Sequence, residues 1–283
     1  MTWKLGLMSV ERTVTANRIM TILVSVLGVY LLVGVLLVVF QRSMMYPVPR
    51  YVTEPKVAGG VLVRVPNGAG TVFALHIPAP RGAPTVVHFH GNAEQLADQA
   101  ELGAELREAH IGFFAVEYPG YGLARREQTT ELAVYTAAEA ALRYLHTALG
   151  VSRQYTVLQG RSLGTGVAVE MARRGFCARL VLISPFTSMV EMAKRVAPFF
   201  PVGLLVKDRY DNQSKARGIN LPVLIVHGKE DEIIPFSMGR KLSELFPKAE
   251  LRVVERAQHN DLFFVGGSAL VEGIAGFIRQ TSN

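Results

Sequence analysis

A single cysteine, Cys177, stands among the 283 residues, so no disulfide can form within the chain; that suits a reducing compartment and a bacterial envelope equally. No Cys or His pairs occur at ligand spacing, which argues against a structural zinc site. Charge is sparse as well, at 19% of residues. Although the net charge is +7, the Lys and Arg residues are dispersed and form no run, so a nucleic-acid partner is not expected. Their better use is solvation and attraction to anionic lipid. Neither the dinucleotide pattern G-x-G-x-x-G nor the P-loop lysine pattern is present, and no cofactor is expected. Repeats and low-complexity linkers are missing too, while 49% hydrophobic residues exclude a disordered chain.

What is present begins with "IMTILVSVLGVYLLVGVLLVVF", Ile19 to Phe40, without a charge. As a helix rising about 1.5 Å per residue it spans the roughly 30 Å hydrocarbon layer of a bilayer. A cleaved signal would have an apolar core of about 7 to 15 residues and a small-x-small cleavage site, and a core helix would show one polar face. The run therefore predicts a single-pass membrane anchor over residues 19–40, with residues 1–18 as an N-terminal tail. Lys4, Arg12 and Arg18 before it balance Arg42, Arg50 and Lys56 after it, so no orientation follows. Pro47, Pro49 and Pro55 mark residues 41–56 as a juxtamembrane connector, leaving 57–283 for one domain.

Within that domain short apolar runs alternate with longer helical stretches. Strands are predicted at 61–65, 71–77, 85–90, 111–118, 155–160, 180–185, 223–228 and 251–256, and helices near 93–110, 128–149, 163–174, 236–246 and 268–280. Crossover spacing of this kind specifies an α/β fold: a mostly parallel eight-stranded sheet with helices on both faces. The first two strands are close enough for an antiparallel hairpin. Residues 186–220 break the alternation and are expected to form a small cap, whose apolar run from Ala197 to Val206 could line an acyl pocket, touch the bilayer or pack on the domain.

Reactive groups in such sheets collect beyond the carboxyl ends of the strands. After "YTVLQG" comes Gly160-Arg161-Ser162-Leu163-Gly164, a G-x-S-x-G pattern at a strand-to-helix turn, where a nucleophile needs small neighbours because the backbones crowd together. Ser162 requires a base to take its proton and an acid to hold that base. His259, in the loop after the last strand, suits the base; His227, inside the preceding strand, reads as a structural residue. Asp231, in the loop after that strand, suits the acid, with Glu230 and Glu232 as adjacent rivals. The tetrahedral intermediate needs N–H donors. Leu163, heading a helix, supplies one backbone N–H, and the "HGNAE" turn a second, from Asn92 or, as the rival, Ala93. "YPGYG" (118–122) carries no assigned chemistry, and Arg161 reads as a solvent-facing charge.

With these residues assembled, the sequence resembles the α/β-hydrolase superfamily, and within it the membrane-anchored serine hydrolases with α/β-hydrolase domains. The resemblance covers about residues 41–280 and rests on "QRSMMYP", "HFHGNAE", "YPGYG", "GRSLG", "SPFTSM", "DRYDN" with Lys215, "HGKEDEIIP" and "AQHND", in family order. It implies an α/β-hydrolase fold with Ser162 as nucleophile, Asp231 as acid and His259 as base. The implied substrates are acyl esters, lipid esters or protein thioesters, with no metal or organic cofactor. Asp211 and Asn212 match the family motif without an evident role.

Overall fold

A computed structural model describes residues 2–68 and 70–280; Met1, at the start of the expected tail, and residues 281–283, at the end of the expected domain, lie outside the described residues. Two units follow each other along the chain, the second beginning at Tyr46. The first is one helix, α1 (Thr2–Met45). Its stretch from Asn17 to Met45, which contains an 18-residue window with a mean hydropathy of 3.0, is a candidate membrane span. The helix runs through residues 2–18 of the expected tail and the first five residues of the expected connector. Gln41 to Met45 include good helix formers, and Arg42 sits favourably in the last turn. Termination comes where Pro47 biases Tyr46 away from helical dihedrals.

The second unit is an eight-stranded sheet with its helices. In chain order these are β1 (Val61–Asn67), β2 (Gly70–Ile77), β3 (Thr85–Phe89), α2 (Ala100–Glu108), β4 (Gly112–Val116), α3 (Glu131–Thr147), β5 (Thr156–Arg161), α4 (Gly164–Arg173) and β6 (Arg179–Ile183). There follow α5 (Met189–Val196), α6 (Val202–Leu205), α7 (Asn212–Ala216), β7 (Val223–Gly228), α8 (Phe236–Leu245), β8 (Ala249–Val254) and α9 (Leu262–Arg279). The sheet order is β1-β2-β4-β3-β5-β6-β7-β8. β1 and β2 form the expected antiparallel hairpin, with Asn67 opposite Gly70, and β2 also runs antiparallel to β4. Every other pairing is parallel.

Strands β3, β4, β6 and β7 are buried along their whole length, as parallel strands covered on both faces must be. One face packs α2 and α9 through Leu106, Leu270, Ile274 and Phe277 onto Val86, Phe113, Val157 and Leu224. On the other side α3, α4, α7 and α8 touch one another in succession. Helix α9 is long and apolar enough to cross a membrane by composition; Leu270, Ile274, Phe277 and Ile278 pack it onto the sheet, while Phe264 and Val271 remain exposed. Removing such a buried side chain, as in Phe113→Ala, costs about 3–5 kcal/mol.

Two helix boundaries differ from expectation. Ala93 has φ +60°, and helical hydrogen bonding starts only at Leu96 with a short 3-10 turn. α9 begins at Leu262, six residues early, and bends at Gly267, whose φ of +58° only glycine adopts easily. Between β6 and β7, residues 186–220 hold the three short helices α5, α6 and α7.

The strand order reverses at β3, which has β4 on one side and β5 on the other. Ligand crevices of open α/β sheets form at such a switch point, beyond the strand carboxyl ends. "HGNAE" and "GRSLG" both emerge there.

Candidate active site

Ser162 stands at the end of β5 with φ +51°, the left-handed region that costs an ordinary residue about 1 kcal/mol or more. The turn is held from both sides. Its N–H donates to the Ile183 carbonyl (2.9 Å), and its carbonyl accepts from the Thr165 N–H (3.0 Å) and Oγ1 (2.6 Å). The flanking glycines are there for room. A Cβ at Gly160 would overlap the Gly164 carbonyl, and one at Gly164 would overlap the Phe89 carbonyl of β3. Leu163 is buried and immediately precedes α4, so its N–H belongs to the helix-start donors that no intrahelical carbonyl takes.

Asp231 and His259 are brought together by the ends of β7 and β8. His259 Nδ1 lies 2.8 Å from Asp231 Oδ2. Asp231 Oδ1 accepts the N–H groups of Ile233 (3.1 Å) and Ile234 (2.7 Å). Burial opposes ionisation of this carboxyl, but hydrogen bonds from His227, His259 and the Ile234 N–H outweigh it and hold the group well below the usual carboxylate range. Of the rivals, Glu230 is exposed, and Glu232 accepts the backbone N–H of His259 (3.1 Å), steadying the loop.

His227 is fully buried. Its Nε2 donates to the Ile234 carbonyl (2.8 Å) and lies 3.3 Å from Asp231 Oδ2, so it braces the Asp231 loop. Gly239 leaves the space its ring occupies.

The loop after β3 passes close to Ser162: a Cβ at Gly91 would stand 3.6 Å from Ser162 Cβ. Asn92 Oδ1 accepts from Tyr121 Oη (2.8 Å), and Tyr118 Oη donates to the His90 carbonyl (2.8 Å), so the tyrosines of "YPGYG" pin this loop. The N–H of Ala93 is taken by the Pro47 carbonyl (3.0 Å). His90, stacked on Tyr118, lies 3.4 Å from the buried Glu117 carboxylate. Burial would lower the His90 pKa, but Glu117 outweighs it and the pKa is raised.

Arg161 is not a free surface charge. Its Nη1 pairs with Glu94 Oε1 at 2.5 Å and its Nη2 reaches Asn260 Oδ1 at 3.4 Å. Glu94 Oε2 in turn accepts the Gly91 N–H and Gln99 Nε2–H, both at 3.1 Å. One carboxylate thus ties the residue before Ser162 to the loop after β3, and one guanidinium ties it to the residue after His259. Sequence reading passed over Glu94, because an acid two positions after an asparagine in a turn has an ordinary solvated explanation.

Asp211 and Asn212 also find roles. Asp211 Oδ1 caps α7 by accepting the Ser214 N–H (3.2 Å), and the buried Asn212 Nδ2 donates to the Phe186 carbonyl (2.9 Å), tying the cap's return to its departure. Among the described residues no group of three or more His, Cys, Asp or Glu side chains is disposed to hold a metal ion.

A doubly covered sheet with a left-handed serine at its switch point is the architecture of the α/β hydrolases, and the chain belongs to that superfamily. The family model for the alpha/beta hydrolase fold matches residues 84–204. Among curated proteins the chain is similar to human alpha/beta hydrolase domain-containing protein 17B, 33% identical over 71% of this chain and 68% of that one. It is likewise similar to protein 17C of Mus musculus, 34% identical over 69% of this chain, and spans 60% of that protein's length. Among solved structures an esterase from Pyrococcus furiosus superposes with a TM-score of 0.66 over 82% of this chain and 98% of that chain, at 18% identity, a likeness of fold.

Proposed function

We propose that this protein is a membrane-anchored serine hydrolase that cleaves acyl esters or thioesters through an acyl-enzyme. The observation that carries the reading is the Asp231–His259 pair, whose loop is stitched to the Ser162 turn by the contact between Arg161 and Asn260. His259 Nε2 removes the Ser162 hydroxyl proton as Oγ attacks the acyl carbonyl carbon. Asp231 holds the Nδ1–H and stabilises the imidazolium so formed. The oxyanion is received by the N–H groups of Leu163 and Asn92, each such donor contributing about 3–4 kcal/mol in a site of this kind. Collapse of the intermediate expels the alcohol or thiol, which takes its proton from the imidazolium. Water, deprotonated by His259, then attacks the acyl-Ser162 carbonyl and releases the acid.

The first 45 residues supply the anchor, with the stretch 19–40 in the bilayer and the domain from 57 onward outside it. The apolar character of the anchor favours acyl substrates that live in or near a membrane. A fluorophosphonate probe tests the chemistry: the wild type becomes labelled and Ser162→Ala does not. A wild type that is folded and inert to the probe refutes the proposal, and leaves a binding protein built on a hydrolase fold.

A further inference from the structure

The segment between β6 and β7 exposes more apolar surface than its own packing explains. Helix α5 is capped at its start by Ser188 Oγ, which accepts the Glu191 N–H (3.1 Å), and it buries Val190. α6 buries Val202. On the outer side Val196 is 72% exposed, Phe199 86% and Leu204 87%, within nine residues of chain. Isolated exposed apolar residues need no explanation, but three large ones together mark a contact surface.

Its rim is cationic. Lys194, Arg195, Lys207 and Arg209 are all exposed, against one carboxylate between them, the buried Asp208. Lys194 Nζ is paired with Glu191 (2.6 Å), and Arg209 Nη1 also donates to the Gly203 carbonyl (2.9 Å). Apolar side chains ringed by Lys and Arg are the pattern of an element that lies in the interface of an anionic bilayer.

Location supports the same occupant. The base of the segment is fixed by Glu131, which accepts the N–H groups of Arg209 (2.6 Å) and Tyr210 (3.1 Å). Tyr210 packs edge-on against Tyr46, with the two hydroxyls 3.1 Å apart. Tyr46 follows Met45, the last residue of α1, directly along the chain. At its other end the segment leaves β6 beside Ile183, whose carbonyl receives the Ser162 N–H.

We infer that residues 194–209 seat in the surface of an anionic membrane, with Val196, Phe199 and Leu204 among the upper acyl chains and the four cations at the headgroups. The inference rests on the membrane-anchor reading of α1. It makes the cap the side from which acyl substrates arrive, out of the bilayer plane.

The test uses the full chain carrying Trp3→Phe, which removes its one tryptophan, and Phe199→Trp, reconstituted in phosphatidylcholine vesicles with or without phosphatidylglycerol. Trp emission is read on the fraction that resists carbonate extraction. Quenching by lipids brominated near the headgroup end of the acyl chain, stronger with phosphatidylglycerol and weakened when the four cations become Glu, is the expected result. Unquenched, solvent-like emission overturns the inference and leaves the anchor intact; recovery of the protein only in the carbonate extract overturns both. As a second measurement, Phe199→Asp with Leu204→Asp should slow turnover of a vesicle-borne ester several-fold and leave a short soluble ester unaffected. Equal loss on both substrates assigns these side chains to the acyl pocket and refutes membrane seating.

Discussion

Replacing Glu94 by Gln tests whether the Ser162 turn, the loop after β3 and the His259 loop work as one assembly. Gln keeps the shape and one acceptor but removes the charge that Arg161, Gly91 N–H and Gln99 share. Burial opposes ionisation of Glu94, yet Arg161, His90, His88 and the Gly91 N–H together hold its pKa below the usual value, so the carboxylate is the form the site is built around. Hydrogen bonds to a charged group stabilise by about 1.5–3 kcal/mol and neutral ones by about 0.5–1.5, a difference of roughly 1 kcal/mol per bond. The Arg161 and Glu94 side chains are 27% and 20% exposed, so water screens part of the loss. The expected cost in stability is about 1–2 kcal/mol.

The catalytic effect should be the more specific one. Gly91 stands beside Ser162, and a loop released at Gly91 carries the Asn92 N–H away from the oxyanion; a tenfold fall in kcat corresponds to about 1.4 kcal/mol of lost transition-state stabilisation. Steady-state kinetics on a short soluble ester should show that fall with KM unchanged, at a temperature where unfolding of the variant, followed in parallel, is negligible. Arg161→Gln should behave similarly, and the double variant should be no worse than either single, giving a coupling of about 1 kcal/mol. A kcat within about twofold of wild type in Glu94→Gln, or losses that simply add in the double variant, would refute the coupling.

Gly164→Ala should destabilise by more than about 3 kcal/mol in chemical denaturation, because the new Cβ meets the backbone carbonyls of Phe89 and His90 and no side chain can yield; Gly203→Ala, with open space around it, is the neutral control. Burial opposes ionisation of Glu170, yet Arg173, Lys215 and Arg174 lower its pKa from 4.5 to about 2. A lowered folded-state pKa stabilises above the unfolded value and loses that contribution as pH falls through the folded one. Glu170→Gln should therefore cost about 2 kcal/mol at neutral pH, and the gap to wild type in denaturation midpoints should close between about pH 4.5 and pH 2; a gap independent of pH would sink this account.

All eight strands were legible because short runs rich in Val, Ile, Leu and Phe, bounded by turn residues, have few alternatives at that length. Local pattern could not foresee the contacts made across it. Arg161 and Glu94 are separated by 67 residues, and nothing in either neighbourhood announces the other. Tyr121 and Asn92 meet for the same reason, through β4 lying beside β3. The last helix, expected near 268–280, starts early at Leu262, because Gly267 serves as a bend between two helical pieces rather than as their boundary. Place after a strand left Asp231 beside Glu230 and Glu232, and the family resemblance favoured it, whereas its support from His227 depends on a ring buried under Gly239, a relation of packing rather than of spacing.

The groups of the candidate site hang on strands of unequal security. Ser162 follows β5, hemmed in by β3 and β6 at the centre of the sheet, whereas His259 follows β8, the outermost strand, paired only with β7 and partly or fully exposed along its length. Sheets loosen from their edges before their centres. On warming, His259 is therefore expected to lose its place before Ser162 does, while the bulk of the fold is intact. If Ser162 and His259 act together as proposed, turnover should therefore fall on warming before the fold itself unfolds.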